Sequence, residues 1–169
     1  VDGHYAAQKA AGTYKGCDAY NEHERIIERD DIDACFIVTP DHWHVAIALA
    51  AVRSGKDVYV EKPMAHSFRQ IELMMGAEKK YKVACQMGNQ GHSSDRIRDV
   101  CEWIWDGAIG KIHTVHACCG SNYSQVDRLA LLAERPPVPP ELNWDLWVGA
   151  AAMQPFAPMY LNGKWRSWS

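Results

Sequence analysis

The sequence predicts an α/β fold in which helices flank a parallel sheet. From about residue 20 to 120, short apolar runs typical of strands alternate with segments that have helical spacing. At least one run is apolar throughout, as is usual for strands inside a parallel sheet. Strands that are separated by whole helices join by right-handed crossovers, and such crossovers produce parallel pairing.

The first strand–helix pair is predicted over residues 32–55. The stretch IDACFIVTP (32–40) is a continuous apolar run, which predicts a strand buried on both faces, and Pro40 ends it. The stretch DHWHVAIALAAVRSG that follows predicts a helix, with Asp41 as its N-cap and Gly55 as the residue that stops it.

A second pair and a third strand follow without a break. The stretch KDVYVEKP (56–63) predicts the second strand, and SFRQIELMMGAEKKYK (67–82) predicts the second helix, with Ser67 as its N-cap. The stretch VACQMG (83–88) predicts the third strand.

The helix after the third strand has the clearest apolar face. Its apolar residues recur three and four positions apart: Ile97, Val100, Cys101, Ile104, Trp105 and Ala108. The stretch DGAIG (106–110) closes this helix, and KIHTVHACCG (111–120) predicts a fourth strand. One more helix is predicted near the N-terminus, over residues 2–15.

The character of the sequence changes after Gly120. The stretch ERPPVPPE (134–141) predicts a stiff loop or linker, and the remainder is rich in Trp and Pro without a clear period. We therefore predict a partial first domain over 1–120 and the loop-rich start of a second domain over 121–169. Its tryptophans are more often core residues than a surface for sugars, although the latter alternative stays open.

Composition excludes several classes of protein. The 169 residues are 47 % apolar with a net charge of −3, and they contain no polybasic block, so neither nucleic acid nor a membrane is an expected partner. The six cysteines include no C-x-x-C pair, which predicts reduced structural thiols and no metal site. No signal peptide is visible, so we expect a cytoplasmic protein, although a chain that opens on Val1 is expected to be incomplete at its start.

Polar side chains follow each of the first three predicted strands. Because the carboxyl ends of parallel strands meet at one edge, we expect these loops to form a ligand site. Its candidate residues are Thr39, His42, His44, Glu61, Lys62, His66, Asn89, Gln90 and His92. Each candidate has a plainer alternative. Examples are a hydrogen bond from His44 to a backbone carbonyl, and a surface pair of Lys62 with Glu61.

Four stretches together resemble the Gfo/Idh/MocA oxidoreductases, the family of glucose–fructose oxidoreductase and inositol dehydrogenase. They are TPDHWH, GKDVYVEKPMAHS, CQMGNQGHS and GAIGKIHTVH. The resemblance implies a Rossmann-like domain that binds NAD or NADP, followed by a second α/β domain with a large open sheet. It also implies hydride transfer to or from a sugar, a polyol or a derivative, and a possible homo-oligomer formed through the second domain.

The resemblance also implies residue roles. Lys62 is the expected catalytic residue, beside the nicotinamide, where it assists proton movement or stabilises an oxyanion. The expected cofactor-binding residues are Thr39, Pro40, His44, Glu61, Lys62, Pro63, Gln86, Asn89, Gln90, Trp165 and Arg166.

Two family motifs are missing from the chain: the glycine-rich turn at the start and the D-x-x-x-H motif of the catalytic histidine. We therefore expect a fragment that is inactive by itself. Two other functions stay open. One is an NAD-dependent glycosidase of the same family, which oxidises its sugar transiently and returns the hydride. The other is a non-catalytic relative that binds nucleotide.

Overall fold

The computed structural model describes residues 12, 16–118, 132–161 and 165. Residues 16–112 form one compact unit, and the described residues from 113 onwards belong to a second. The helix predicted over 2–15 lies outside the described residues, apart from Gly12. The predicted domain boundary after residue 120 also falls outside them and stays a prediction.

The first unit contains a parallel sheet of three strands in the order β1-β2-β3. The strands are β1 (Ala34–Ile37), β2 (Asp57–Glu61) and β3 (Cys85–Gly88). In register, Ile37 lies beside Val60, and Glu61 lies beside Gly88. All three strands therefore end at the same edge, which confirms the predicted parallel α/β fold.

The helices are, in chain order, α1 (Glu24–Ile27), α2 (His44–Arg53), α3 (Phe68–Tyr81), α4 (Asp95–Trp105) and, in the second unit, α5 (Trp144–Val148). Helices α2 and α3 connect the strands where the sequence predicts helices, and α4 follows β3 as predicted, whereas α1 and α5 are not predicted from the sequence. Short 3-10 turns occupy Asp41–Trp43, Gln90–Ser93 and Pro158–Tyr160.

Two of the predicted helix ends are confirmed. The Ser67 hydroxyl accepts the backbone N–H of Gln70 at 3.3 Å, so it caps α3. Gly55 follows the last residues of α2 with φ +78°, a left-handed conformation that suits glycine and stops the helix.

The predicted N-cap Asp41 is wrong. A 3-10 turn begins at Asp41, closed by the Trp43 N–H donating to the Pro40 carbonyl at 2.9 Å, and α2 begins only at His44. Trp43 is the residue at the N-cap position of α2, and its side chain makes no capping hydrogen bond. The extra turn therefore displaces Asp41 from the helix end.

The core lies between one face of the sheet and the helices α2 and α3. Its largest contributions come from small and branched apolar side chains, which let the helices approach the strands closely. They are Ile37, Val45, Ile47, Ala48, Ala51, Val52, Val58, Val60, Met74 and Ala77. Burial of each valine or isoleucine stabilises the fold by about 1.5–3 kcal/mol.

The opposite face of the sheet is open, so the prediction that β1 is buried on both faces is wrong for the described residues. Phe36 is 63 % exposed and stacks on Tyr59 with ring centroids 4.5 Å apart. Both connecting helices pack on the same face of the sheet. Each crossover is right-handed and leads to the next strand in the same direction across the sheet, so both helices lie on the same side. The apolar run of β1 therefore has helices on one side only.

The predictions for the helix and the strand after β3 have different outcomes. Helix α4 forms and ends at DGAIG, where Gly107 and Gly110 adopt positive φ, as predicted. The fourth strand is wrong, because the described residues 111–118 form no strand. A strand requires a hydrogen-bonded neighbour. Val115 is 78 % exposed there, without strand pairing among the described residues.

The described part of the second unit contains an aromatic cluster. Residues 134–141 contain neither helix nor strand, as predicted for a proline-rich loop. Trp144 packs edge-on against Phe156 with ring centroids 5.2 Å apart, and its indole N–H donates to the Gln154 carbonyl at 2.8 Å. These contacts favour the core role for Trp144 over a sugar-binding surface.

The thiols of β1 and β3 should react slowly. Burial raises the pKa of both Cys35 and Cys85, whereas Cys118 is exposed. Since the thiolate is the reactive form, we expect iodoacetamide at pH 8 to modify Cys118 about tenfold or more faster than the two strand cysteines. Mass spectrometry of timed samples measures the order. Similar rates in native buffer would contradict this expectation, and labelling in urea is the control in which the rates should become equal.

Candidate functional site

The carboxyl edge of the sheet brings together three loops. Thr39 and Pro40 follow β1, Lys62 and Pro63 follow β2, and Asn89 with Gln90 follows β3. The strand register places these loops side by side, as predicted from the sequence. Gln86 differs from them because it lies within β3, where its side-chain amide donates to the Met87 carbonyl at 2.7 Å.

His44 connects the first two loops. Its Nδ1 lies 2.6 Å from the carbonyl oxygen of Pro63, and its Nε2 lies 2.8 Å from the carbonyl oxygen of Thr39. The residue is 1 % exposed. The plainer alternative for His44 is a hydrogen bond to one backbone carbonyl. The structure shows contacts with two carbonyls, which belong to two different loops.

Glu61 is held across the end of β3. Its Oε2 accepts the backbone N–H of Lys62 at 3.2 Å. A Cβ at Gly88 would lie 3.0 Å from Cδ and Oε2 of Glu61 and 3.0 Å from Cε1 of Tyr59. The carboxyl group therefore lies so close to Gly88 that a side chain there would require Glu61 or Tyr59 to move. Sequence reasoning missed Gly88 and Tyr59, although a glycine that ends a strand is a signal of close approach.

Lys62 presents an unpaired ammonium group. The residue is exposed, and its side chain makes no ion pair or hydrogen bond with the described residues. Glu61 interacts with the backbone N–H of Lys62 rather than with its ammonium. The surface pair of Lys62 with Glu61 is therefore wrong for this structure. The peptide bond from Lys62 to Pro63 is cis.

Thr39 carries a buried hydroxyl that lacks a hydrogen-bond partner in the described part of the chain. Native proteins seldom leave such a group unsatisfied, because its desolvation costs about 1–3 kcal/mol. Because this oxygen is inaccessible to solvent in the structure, a polar ligand at this edge would bond it only after the loop moves. The unpaired ammonium of Lys62 fits the same kind of ligand, with polar and negatively charged groups, and a dinucleotide is of this kind.

Two of the remaining predicted residues lie in the C-terminal segment, whereas His66 lies between β2 and the next helix. Trp165 belongs to the second unit, so its contact with a cofactor stays a prediction, and Arg166 lies outside the described residues. The backbone N–H of His66 donates to Oε1 of Gln70 at 2.8 Å. Among the described residues, no group of three His, Cys, Asp or Glu side chains is arranged to hold a metal ion. No helix in this part of the chain has the length and hydropathy needed to cross a membrane.

Comparison with known proteins identifies the family. Residues 1–89 match the model of the oxidoreductase family with an NAD-binding Rossmann fold, GFO_IDH_MocA. The chain belongs to the Gfo/Idh/MocA oxidoreductase family. The resemblance inferred from the sequence is confirmed, and so are the Rossmann-like fold and the nicotinamide dinucleotide as the cofactor of the family.

Individual relatives of this Gfo/Idh/MocA member have different names. A Saccharopolyspora erythraea protein named glycosyl hydrolase family 109 protein is 33 % identical over 93 residues, 54 % of this chain and 20 % of that protein. The levoglucosan dehydrogenase of Pseudarthrobacter phenanthrenivorans is 29 % identical over 106 residues, 63 % of this chain and 27 % of its own. The chain spans about a quarter of the length of these curated relatives.

A solved structure is similar over a comparable region. The myo-inositol 2-dehydrogenase of Lactobacillus plantarum has a TM-score of 0.51 and 30 % identity, and the match covers 55 % of this chain and 28 % of that one.

Proposed function

We propose that this chain provides the nicotinamide-binding edge of an NAD- or NADP-dependent oxidoreductase that acts on a sugar, a polyol or a derivative. The observation that carries the proposal is the edge of the sheet, where the strand-end loops lie side by side and the exposed Lys62 presents an ammonium that has no partner among the described residues. Family membership and dehydrogenase relatives support it. A cytoplasmic location and a homo-oligomer remain predictions.

The chemistry assigns different tasks to the cofactor and to the chain. When bound, the nicotinamide exchanges a hydride with the substrate carbon. Lys62 moves the proton of the substrate hydroxyl when its amine is neutral, and it stabilises negative charge on that oxygen when it is an ammonium. Glu61, fixed by the Lys62 N–H, orients the loop that presents Lys62.

The residues proposed to hold the cofactor come from the strand-end loops and positions next to them, and from the C-terminal segment. Apart from Lys62 itself, they are Thr39, Pro40, His44, Glu61, Pro63, Gln86, Asn89 and Gln90, together with Trp165 and Arg166 of the C-terminal segment. The hydroxyl, carboxyl and carboxamide groups in this set match the ribose hydroxyls and the carboxamide of a dinucleotide.

A second candidate is an NAD-dependent glycosidase, which the relative named glycosyl hydrolase family 109 protein favours. Such an enzyme oxidises its sugar transiently, eliminates the aglycone and returns the hydride. The two candidates differ in net NADH. A dehydrogenase accumulates NADH in proportion to product, whereas the glycosidase releases p-nitrophenol from aryl glycosides without net NADH.

Replacement of Thr39 by valine tests the cofactor site. Valine has nearly the same shape and lacks the hydroxyl, so we expect the melting temperature to stay the same or rise, because a buried unsatisfied group is removed. If the hydroxyl bonds the cofactor, the dissociation constant of NADH rises about fivefold, the effect of one lost hydrogen bond. The measurement is NADH fluorescence titration of a protein that carries this sequence at the full length of its relatives, hereafter the full-length protein.

The outcomes of this titration are distinct. Unchanged NADH affinity in Thr39→Val removes Thr39 from the cofactor site. Absence of NADH and NADPH binding in the unmodified full-length protein overturns the proposed function itself. Thr13→Val is the matched control, since it makes the same chemical change outside the three strand-end loops.

A further inference from the structure

The buried His44 ring contacts a backbone carbonyl oxygen with each of its two nitrogens. Both ring nitrogens are within hydrogen-bond distance of carbonyl oxygens, those of Thr39 at 2.8 Å and Pro63 at 2.6 Å. Carbonyl oxygens only accept hydrogen bonds. A neutral imidazole has a proton on one nitrogen, so its other nitrogen would direct a lone pair at an oxygen lone pair.

Burial makes that mismatch costly. His44 is 1 % exposed, so water has little access to separate the ring from either carbonyl. Two N–H donors remove the mismatch, and both contacts then become charge-assisted hydrogen bonds, whose strength must offset the cost of taking the charged ring out of water. Asp41, which is 9 % exposed, places a carboxyl group in the turn that leads into the same helix.

We propose that His44 carries a proton on each ring nitrogen and acts as a positioning residue that fixes the Thr39 loop against the Lys62–Pro63 loop. Pro63, whose carbonyl the ring contacts, is 19 residues from His44 along the chain. Each loop holds one of the groups that the structure leaves unsatisfied, the Thr39 hydroxyl and the Lys62 ammonium. His44 therefore sets the separation of these two groups.

The expected effect of His44 on catalysis rests on the proposed function. The hydrogen bonds of His44 to the two carbonyls do not depend on that function. A ligand that engages both loops binds most tightly when their separation is already correct, because ordering them on binding costs affinity. Loss of His44 should therefore change both the KM for the cofactor and kcat, since the cofactor uses one loop and proton transfer uses the other.

The first test is ¹⁵N NMR of the histidine rings in the full-length protein without cofactor. We expect the His44 ring to show two protonated nitrogens that exchange slowly with water. The exposed His92 serves as an internal reference for a ring in solvent. A His44 ring with one protonated nitrogen overturns the proposal.

The second test compares His44→Phe, which removes both donors, with His44→Gln, which keeps one donor group. We expect His44→Phe to speed hydrogen exchange about tenfold at the amides of Trp43 and His66, which report the two loops. Exchange in the core of β2, at Val58 and Val60, should stay unchanged, and His44→Gln should lie between. His116→Gln, which changes an exposed histidine outside these loops, is the control.

The kinetic measurements complete the test. We expect His44→Phe to raise the KM for NAD or NADP and to lower kcat, each about fivefold to tenfold, with partial rescue in His44→Gln. A uniform loss of protection that includes β2, with unchanged kinetics of the folded fraction, overturns the positioning role. If the unmodified protein binds neither cofactor, the proposed function fails, while the NMR and exchange results still decide whether His44 joins the loops.

Discussion

Replacing Lys62 by alanine in the full-length protein should lower kcat by at least about 100-fold, because a positioned general acid or base contributes roughly 10²- to 10⁴-fold. Stability should not change, since the Lys62 ammonium makes no ion pair or hydrogen bond with the described residues. Cofactor affinity should stay within a few-fold. The measurement is steady-state kinetics with NAD and NADP against a panel of sugars and polyols, with thermal unfolding in parallel.

Two control variants sharpen this result. Lys79→Ala removes another exposed lysine, from α3, and should leave kcat unchanged. Lys62→Arg keeps the positive charge but holds its proton far more firmly, so it should retain oxyanion stabilisation and lose proton transfer. Full activity in Lys62→Ala would remove the catalytic assignment and favour the non-catalytic relative that binds nucleotide.

Gly88→Ala should destabilise the full-length protein by about 1–3 kcal/mol, the usual cost of overpacking. The added Cβ would lie 3.0 Å from Glu61 and 3.0 Å from Tyr59, so at least one of these side chains must move. Tyr59 has little freedom because it stacks on Phe36. Urea unfolding measures the loss, and NADH titration shows whether movement of Glu61 also disturbs the Lys62 loop.

Gly76→Ala is the matched control, because it adds the same methyl group where nothing lies within 4 Å. Gly76 is inside α3, so alanine should stabilise the protein by about 0.5–1 kcal/mol. Opposite signs for the two substitutions are the expected result. A Gly88→Ala protein as stable as the unmodified one would show that Glu61 and Tyr59 relax freely and that close approach does not require glycine there.

The predictions that the structure confirms depend on short stretches of sequence. The three strands and the helices between them follow from local periodicity, and the cap of α3 needs only Ser67 and the first turn of its helix. The meeting of the strand-end loops at one edge follows from a rule of topology, since parallel strands present their carboxyl ends to the same side, whereas the ligand site there stays a prediction. Both kinds of signal are complete within the sequence.

The predictions that are wrong depend on neighbours that are distant in sequence. Whether β1 has one buried face or two depends on which side of the sheet its helices cover. Whether residues 111–118 become a strand depends on a pairing partner. A local pattern of apolar residues indicates only that their burial is favourable. It does not identify the helix or strand that covers them.

The sequence by itself determined the alternation of strands and helices, the family, and the loops that contain Thr39, Lys62 and Asn89. Only the tertiary structure decided how those loops are held. It placed His44 between two carbonyls, one of them 19 residues away, and it laid Glu61 over Gly88 of the adjacent strand. The physical reason is that hydrogen bonds and close contacts depend on distances of a few tenths of an ångström between segments, whereas sequence patterns encode only which residues prefer burial, turns or caps.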